Sequence, residues 1–137
     1  MISLDRQVYD GIIDRALDGQ PYEVCGVLGG TYEAERSRAS IFHPTTNVAD
    51  APEIRYTIDP EEQLDRIDQI ENDGLDVVGF YHSHPAGPTN PSETDRARAT
   101  WPGYSYVIVA LDGHPFLGSW RWKSTTEQFE QEIVKLD

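Results

Sequence analysis

Residues 76–85 read Asp-Val-Val-Gly-Phe-Tyr-His-Ser-His-Pro, a run that stays apolar on both faces until it reaches two histidines. Such a run predicts a strand that is buried on both sides, in the middle of a sheet. Alternate side chains of an extended chain point the same way, so His82 and His84 share one side and Ser83 takes the other. The stretch therefore predicts a central strand that ends in a pair of imidazoles.

The segment after this strand predicts a stiff turn followed by a helix. Residues 85–91 contain three prolines and one glycine, which favour a turning loop and cannot continue the strand. Ser92 suits the N-cap of a helix, and Asp95 lies one turn into that helix. Taken alone, this is an ordinary acidic helix start. Taken with the two histidines, it completes three zinc ligands and leaves the fourth tetrahedral position open, as in catalytic zinc sites.

The remaining sequence predicts alternating helices and strands around this strand. Helices are predicted at 3–18, from the Asp59-Pro60 capping signal to Asn72, at 92–100 and at 125–136, and strands at 24–32, 36–43, 54–58, 76–82, 104–111 and 116–122, with a loop at 45–52. This order predicts the α/β class, a sandwich with a mixed central sheet flanked by helices. A length of 137 residues without a dividing linker predicts one domain, 1–137.

Composition excludes several functional classes. A net charge of −13 argues against nucleic acid, which is bound by neutralising phosphates with basic side chains, and against an anionic membrane surface. No apolar run approaches the roughly 20 residues of a membrane span, and the first residues lack a signal-peptide pattern. The single cysteine fits a reducing compartment. We therefore expect a cytoplasmic protein.

The basic residues are unevenly chosen. Nine of the 11 are arginine and only Lys123 and Lys135 are lysine. Excess acid with scarce lysine favours a protein from a salt-loving organism, in which surface charges are heavily screened. An ordinary acidic bacterial protein is the alternative.

The chain contains a motif that resembles that of the JAMM (MPN+) metalloproteases. Its residues are Glu23, His82, His84, Ser92 and Asp95. The family pattern is a distant Glu, then His-x-His, seven residues, Ser, two residues and Asp. The likeness extends over nearly the whole chain, through the N-terminal helix and residues 23–30, 55–60, 79–85 and 104–109. It implies the MPN fold, which is like that of cytidine deaminases. Among family members, the chain resembles the small archaeal desampylases, which remove ubiquitin-like modifiers from protein lysines, and its acidic composition favours the haloarchaeal type.

The resemblance implies a role for each motif residue. His82, His84 and Asp95 would bind one zinc ion per chain. Glu23 would take a proton from the attacking water and later pass it to the leaving lysine amine. Ser92 would hydrogen-bond the oxyanion that forms at the scissile carbonyl. The implied partners are ubiquitin-like modifier proteins and their conjugates, and we expect residues 45–57 to hold the modifier's Gly-Gly tail. The oligomeric state stays open, and a monomer is compatible.

Three alternative functions differ in what they require of the sequence. A peptidase that processes a sulfur-carrier protein uses the same chemistry on the same kind of tail, so the sequence leaves it open. A non-catalytic scaffold of the same fold is expected to have lost ligands, and this chain has lost none. A zinc deaminase requires His-x-Glu and Pro-Cys-x-x-Cys, which one cysteine cannot satisfy.

Other chemically interesting residues favour structural roles. Cys25 lies two residues after Glu23 and is either a thiol near the site or a small buried apolar residue; we favour the latter. His43 and His114 have no partner at ligand spacing and are expected on the surface or in loops. The tryptophans are expected to pack in the core or on the sheet, and the first of them could also line the cleft: Trp101, Trp120 and Trp122.

Overall fold

The computed structural model describes residues 1–112 and 116–137. Its elements, in chain order, are β1 (Ile2–Leu4), α1 (Arg6–Gly19), β2 (Cys25–Thr31), β3 (Ser37–Thr45), α2 (Pro60–Asn72), β4 (Asp76–His84), α3 (Glu93–Arg98), β5 (Ser105–Ala110), β6 (Phe116–Lys123), β7 (Gln128–Glu132) and β8 (Val134–Leu136). The described strands form one sheet in the order β7-β6-β5-β4-β2-β3-β1-β8. Parallel and antiparallel pairs both occur, so the predicted mixed sheet is confirmed.

Strand β4 lies in the centre of the sheet, as its apolar sequence predicts. It pairs with β5 in parallel and with β2 antiparallel. Residues 77–84 are buried without interruption. In the pairing with β2, Cys25 lies opposite His82. The segment that precedes β2, which carries Glu23, therefore lies beside the histidine end of β4.

Helices cover both faces of the sheet. On one face, α1 buries Val8, Ile12 and Ala16 in a cluster that includes Val78 of β4. On the other face, Ile70 of α2 joins a cluster that includes Val77. Neighbouring residues of β4 thus serve opposite cores, which makes the fold the expected α/β sandwich.

The described helices include none that is long and apolar enough to cross a bilayer.

The predicted helix at 125–136 is wrong, because this segment forms β7 and β8 at the two edges of the sheet. Phe129 packs against Trp122 of β6 with ring centroids 5.0 Å apart. The side-chain carboxylate of Glu132 accepts hydrogen bonds from Arg121 and from Ser105 and Ser119. These partners come from other strands, so tertiary contacts override the local helical preference.

Two further predictions need correction, namely the strand at 54–58 and the start of the first helix. The predicted strand at 54–58 is mostly irregular: Ile54 ends a turn, in which the carbonyl of Ala51 accepts from the N–H groups of Ile54 and Arg55, and residues 55–57 belong to no helix or strand. Only Ile58 forms a bridge, to Asn47. At the N-terminus, residues 2–4 form a strand rather than the start of the predicted helix, because β3 and β8 pair with them on either side.

Candidate metal centre

Three side-chain atoms form a nearly equilateral triangle at the end of β4. The Nε2 atoms of His82 and His84 lie 3.1 Å apart, and Oδ2 of Asp95 lies 3.1 Å from the first and 3.2 Å from the second. Zinc bonds of about 2.0–2.1 Å at tetrahedral angles separate neighbouring ligand atoms by about 3.3 Å. Two imidazoles and a carboxylate at this spacing therefore fit a zinc ion.

The loop after β4 orients the ring of His84. Its Nδ1 lies 2.6 Å from the backbone oxygen of Pro88. A carbonyl oxygen only accepts, so Nδ1 must carry the hydrogen and donate it. The lone pair of neutral His84 is then on Nε2, which faces the triangle. This is the usual support of a metal-binding histidine by a second, outer partner.

Asp95 is part of a helix cap and also part of the triangle, the two roles that its sequence context allows. Its N–H donates to Oγ of Ser92 at 3.0 Å, and Ser92 N–H donates to Oδ2 of Asp95 at 2.9 Å, which together form a capping box. The same Oδ2 atom faces both histidines. Burial alone would raise the pKa of Asp95, but the adjacent His82 and His84 side chains and the N–H of Ser92 hold it far below the usual range. The carboxylate therefore stays ionised, as a metal ligand must.

Glu23 is the second carboxylate of the site, and its environment differs. The side chain is buried, and it offers a ligand atom within 4.8 Å of those of both histidines. In the part of the chain that the structure describes, its Oε1 has no hydrogen-bond partner. Burial raises the pKa of Glu23 to about 7, against a lowering effect of His84. Two neighbouring carboxyl groups thus have pKa values pushed far apart.

The different pKa values bear on which carboxylate would be the third ligand. A metal ion could also be held without Asp95, because the ligand atoms of Glu23, His82 and His84 all lie within 4.8 Å of one another. The triangle with Asp95 is tighter, and its carboxylate is ionised at every physiological pH. A group with a pKa near 7 is suited to taking and giving protons. The geometry therefore favours Asp95 as ligand and leaves Glu23 for proton transfer.

Ser92 lies at the rim of the site, and among the described residues its hydroxyl hydrogen has no acceptor. Its Oγ accepts from the N–H of Asp95, which uses a lone pair and leaves the hydroxyl hydrogen available. Ser92 is exposed, so that hydrogen is accessible to a substrate oxygen. The N-cap contact and a contact with substrate are thus compatible.

A cavity of about 240 Å³ adjoins Asp95. Aromatic side chains form much of its wall, and the segment before α2 forms one side. Trp101 lines this cavity and also packs on Phe80, with ring centroids 5.2 Å apart. Arg98 lies at the cavity and donates a hydrogen bond to Oγ1 of Thr57. Sequence reasoning missed Arg98, since an exposed arginine on a short helix gives no local signal.

Tyr56 belongs to the 45–57 segment expected to hold the tail, but sequence reasoning missed its contact with the metal centre. Its ring lies against His82 and lines the cavity. The only sequence signal is its place in the Arg55–Pro60 stretch, which contributes to the family resemblance.

The remaining residues singled out from the sequence lie outside the triangle. Cys25 is buried, as favoured, and burial raises the pKa of its thiol to about 11. His43 lies half-buried in β3 rather than on the surface or in a loop. Trp120 and Trp122 are buried, as expected. The expectation for His114 falls outside the described residues.

Comparison with known proteins places these observations in a family. Residues 5–123 match the model of the family described as prokaryotic homologs of the JAB domain. The chain is 41% identical to a desampylase of Haloferax volcanii, over 99% of this chain and 96% of that protein. It is 36% identical to a CysO-cysteine peptidase of Mycobacterium tuberculosis, over 74% of this chain and 67% of that protein.

A solved structure shares the fold over the whole chain. The solution structure of protein DSY2949 from Desulfitobacterium hafniense superposes with a TM-score of 0.89 at 29% sequence identity. The alignment covers 100% of this chain and 93% of that one.

Proposed function

The chain belongs to the family of prokaryotic homologs of the JAB domain, the JAMM family that its motif resembles, and we propose that it is a zinc-dependent isopeptidase. Its substrates would be proteins that carry ubiquitin-like modifiers on lysine, and it would cut after the modifier's terminal Gly-Gly. The observation that carries this proposal is the triangle of His82, His84 and Asp95 beside a buried glutamate with a pKa of about 7. The identity to a desampylase along nearly the full length supports the substrate class.

The proposed catalytic roles divide between the two carboxylates and the serine. His82, His84 and Asp95 would hold one zinc ion, which supplies Lewis acidity and makes a water molecule acidic near pH 7. Glu23 accepts a proton from the attacking water and returns it to the lysine amine as that amine leaves. Its buried Oε1, which has no hydrogen-bond partner among the described residues, is the atom available for this transfer. Ser92 donates its hydroxyl hydrogen to the oxyanion.

The cavity beside Asp95 suggests how the substrate lies. Tyr56 and Thr57, in the segment expected to hold the modifier's tail, contribute to its wall. A Gly-Gly tail has no side chains and fits a narrow passage beside the metal centre. We propose that the tail reaches the site along this segment. Residues 1–137 would act as one catalytic domain.

A second candidate is a peptidase that processes a sulfur-carrier protein. The similarity to a CysO-cysteine peptidase favours it specifically. Both activities would use the same residues and differ only in the leaving group. A non-catalytic scaffold is less well supported, because the metal-binding donors and the buried glutamate are all present and close together.

Composition supports the remaining parts of the proposal. We propose a cytoplasmic enzyme that works in high salt, on the basis of the net charge of −13 and the scarcity of lysine. Neither nucleic acid nor a membrane surface is a proposed partner.

Incubation with defined substrates tests the proposed reaction. Wild-type protein is loaded with zinc and mixed with a modifier joined to a protein lysine, or with the same modifier ending in one added cysteine. Mass spectrometry should find intact modifier ending in Gly-Gly, and a chelator should prevent its release. Release from the lysine conjugate supports deconjugation, whereas release from the cysteine adduct alone supports the second candidate. Cleavage that survives removal of the metal would overturn both.

A further inference from the structure

The backbone of Glu23 is held by a segment that lies far from it in sequence. Glu23 belongs to neither α1 nor β2, so ladder hydrogen bonds do not fix it. Its N–H donates to the carbonyl of Pro52 at 2.8 Å. Its own carbonyl accepts from Nδ2 of Asn47 at 3.0 Å. Both contacts come from the segment between β3 and α2.

Asn47 uses every hydrogen-bonding position of its side chain. Nδ2 donates to the carbonyls of Glu23 and Arg55, at 3.0 and 3.1 Å. Oδ1 accepts from the N–H groups of Ala49 and Thr57, both at 3.0 Å. The opposite amide orientation would place donors against donors and acceptors against acceptors, so the partners dictate the orientation. The amide of Asn47 therefore holds distant parts of the segment together and also holds Glu23 to the segment.

The residue that follows Glu23 is anchored on the opposite side. Val24 N–H donates to Oγ of Ser83 at 2.9 Å, and Ser83 N–H donates to the carbonyl of Val24 at 3.0 Å. Ser83 lies between the two histidines of the triangle. Glu23 is thus bracketed between the strand that carries the histidines and the segment that Asn47 holds.

The same segment forms a wall of the cavity. Thr57, whose N–H is bound by Asn47, lines the cavity beside Asp95, and Tyr56 precedes it. A substitution that moves this segment therefore also moves the groups that hold the backbone of Glu23. The four partners of the Asn47 amide are backbone groups, and none of them belongs to the triangle. The amide of Asn47 therefore acts on the metal centre through the residues that it holds and not by direct contact.

We propose that Asn47 is a positioning residue that sets where the carboxylate of Glu23 lies relative to the metal centre. The kinetic part of this proposal rests on the proposed function, because it takes Glu23 as the proton acceptor. The structural part rests only on the hydrogen bonds described above.

Two substitutions separate the contacts of Asn47. Asn47→Ala removes all four hydrogen bonds. Asn47→Asp keeps the acceptor for Ala49 and Thr57 but replaces the donor with an oxygen that faces the carbonyls of Glu23 and Arg55. Should the alanine variant fail to fold, the aspartate variant still tests the bond to Glu23. Asn72→Ala, at the exposed end of α2, is the matched control.

Steady-state kinetics on a modifier–lysine conjugate, with zinc content measured for each variant, gives the first readout. Displacing a catalytic group by about 1 Å can lower the rate roughly 100-fold, so we expect both Asn47 variants to lose about 10- to 100-fold in kcat. KM and zinc content should stay close to wild type, and Asn72→Ala should be unaffected. A raised KM with unchanged kcat would instead make Asn47 a residue of tail binding and overturn the proposal.

Amide hydrogen exchange gives a readout that needs no activity. In Asn47→Asp, exchange at the Glu23 N–H should accelerate. The segment whose Pro52 carbonyl accepts this N–H then lacks its second bond to Glu23, the one donated by Nδ2 of Asn47. Unchanged exchange at Glu23 would overturn the proposal. Absence of cleavage by the wild-type protein would refute the proposed function instead and leave the exchange result to stand alone.

Discussion

The phenol ring of Tyr56 stacks on the imidazole of His82, with ring centroids 4.2 Å apart and planes inclined by 24°. The two histidines of the triangle are therefore supported in different ways. A backbone carbonyl, that of Pro88, holds the ring of His84 through Nδ1. Within the described residues, Nδ1 of His82 has no hydrogen-bond partner, so apart from the contacts of Nε2 within the triangle its orientation depends on packing, including the stack on Tyr56.

This difference predicts that Tyr56 contributes to metal affinity through its ring and not through its hydroxyl. Replacing Tyr56 with Leu should weaken zinc binding about 10- to 100-fold, the range found when outer supports of metal ligands are removed. Tyr56→Phe keeps the ring and should bind zinc as the wild type does. Competition with a chromogenic chelator measures both affinities. Equal weakening in the two variants would show that the hydroxyl matters, and no weakening in either would show that the stack does not orient His82.

Loss of the Glu23 carboxylate should separate metal binding from turnover. Glu23→Gln has nearly the same shape but cannot accept a proton, so cleavage should fall by a factor of about 100 to 10,000, the usual contribution of a general base. Zinc content, measured by mass spectrometry of the metal, should remain near one ion per chain. Turnover close to wild type would refute the role of Glu23 as base. Loss of the metal would instead make Glu23 a ligand.

Changes within the triangle should lower metal content and activity together. His82→Ala and Asp95→Asn each remove one of the three donors that lie 3.1–3.2 Å apart. His43→Ala is the matched control, because His43 is also partly buried but lies in β3, away from the triangle. It should keep its zinc and its activity. If both triangle variants retain a full complement of zinc, the ligand assignment is wrong.

The acidic surface predicts a response to salt. With a net charge of −13, the folded chain repels itself in dilute buffer, and added salt screens this repulsion. Cleavage of a modifier–lysine conjugate, measured from dilute buffer to molar salt, is therefore expected to persist or rise. Activity confined to dilute buffer would contradict adaptation to salt.

Local signals in the sequence predict much of the fold. The start of α2 is predictable because its cap is local: Oδ1 of Asp59 accepts from Glu61 N–H at 2.9 Å. The central strand is predictable because burial on both faces leaves a continuous apolar run. The segment that forms β7 and β8 is misassigned because the partners of Glu132 lie on β5 and β6, where no local pattern reveals them.

The difference between local signals and contacts between distant parts of the chain also explains which site residues the sequence reveals. His82, His84 and Asp95 come from one strand–loop–helix unit, so their spacing carries the information. Asn47 and Tyr56 act across the fold: the amide of Asn47 meets a carbonyl 24 residues away. Contacts of that kind depend on how the chain folds back, and spacing alone does not predict them.

The raised pKa of Glu23 predicts a pH-dependent destabilisation of the metal-free protein. The ordinary pKa of a glutamate side chain is 4.5, and burial raises that of Glu23 to about 7 in the fold. Between these values the folded chain binds more protons than the unfolded chain, so the free energy of unfolding falls as pH rises through this window. Above pH 7 the whole loss is present, at most about 3 kcal/mol for a shift of this size.

Glu23→Gln removes the titrating group, so after treatment with a chelator this variant should gain stability over wild type as pH rises. Denaturant unfolding should find the two proteins similar near pH 4.5 and furthest apart above pH 7. Glu132→Gln is the opposite control. Burial opposes ionisation there too, but hydrogen bonds from Arg121 and other donors hold the pKa of Glu132 below its usual value. Its loss should therefore destabilise the protein at pH 6 and pH 8 alike. A Glu23→Gln variant whose advantage over wild type does not change with pH would show that the buried carboxyl group does not titrate in this window.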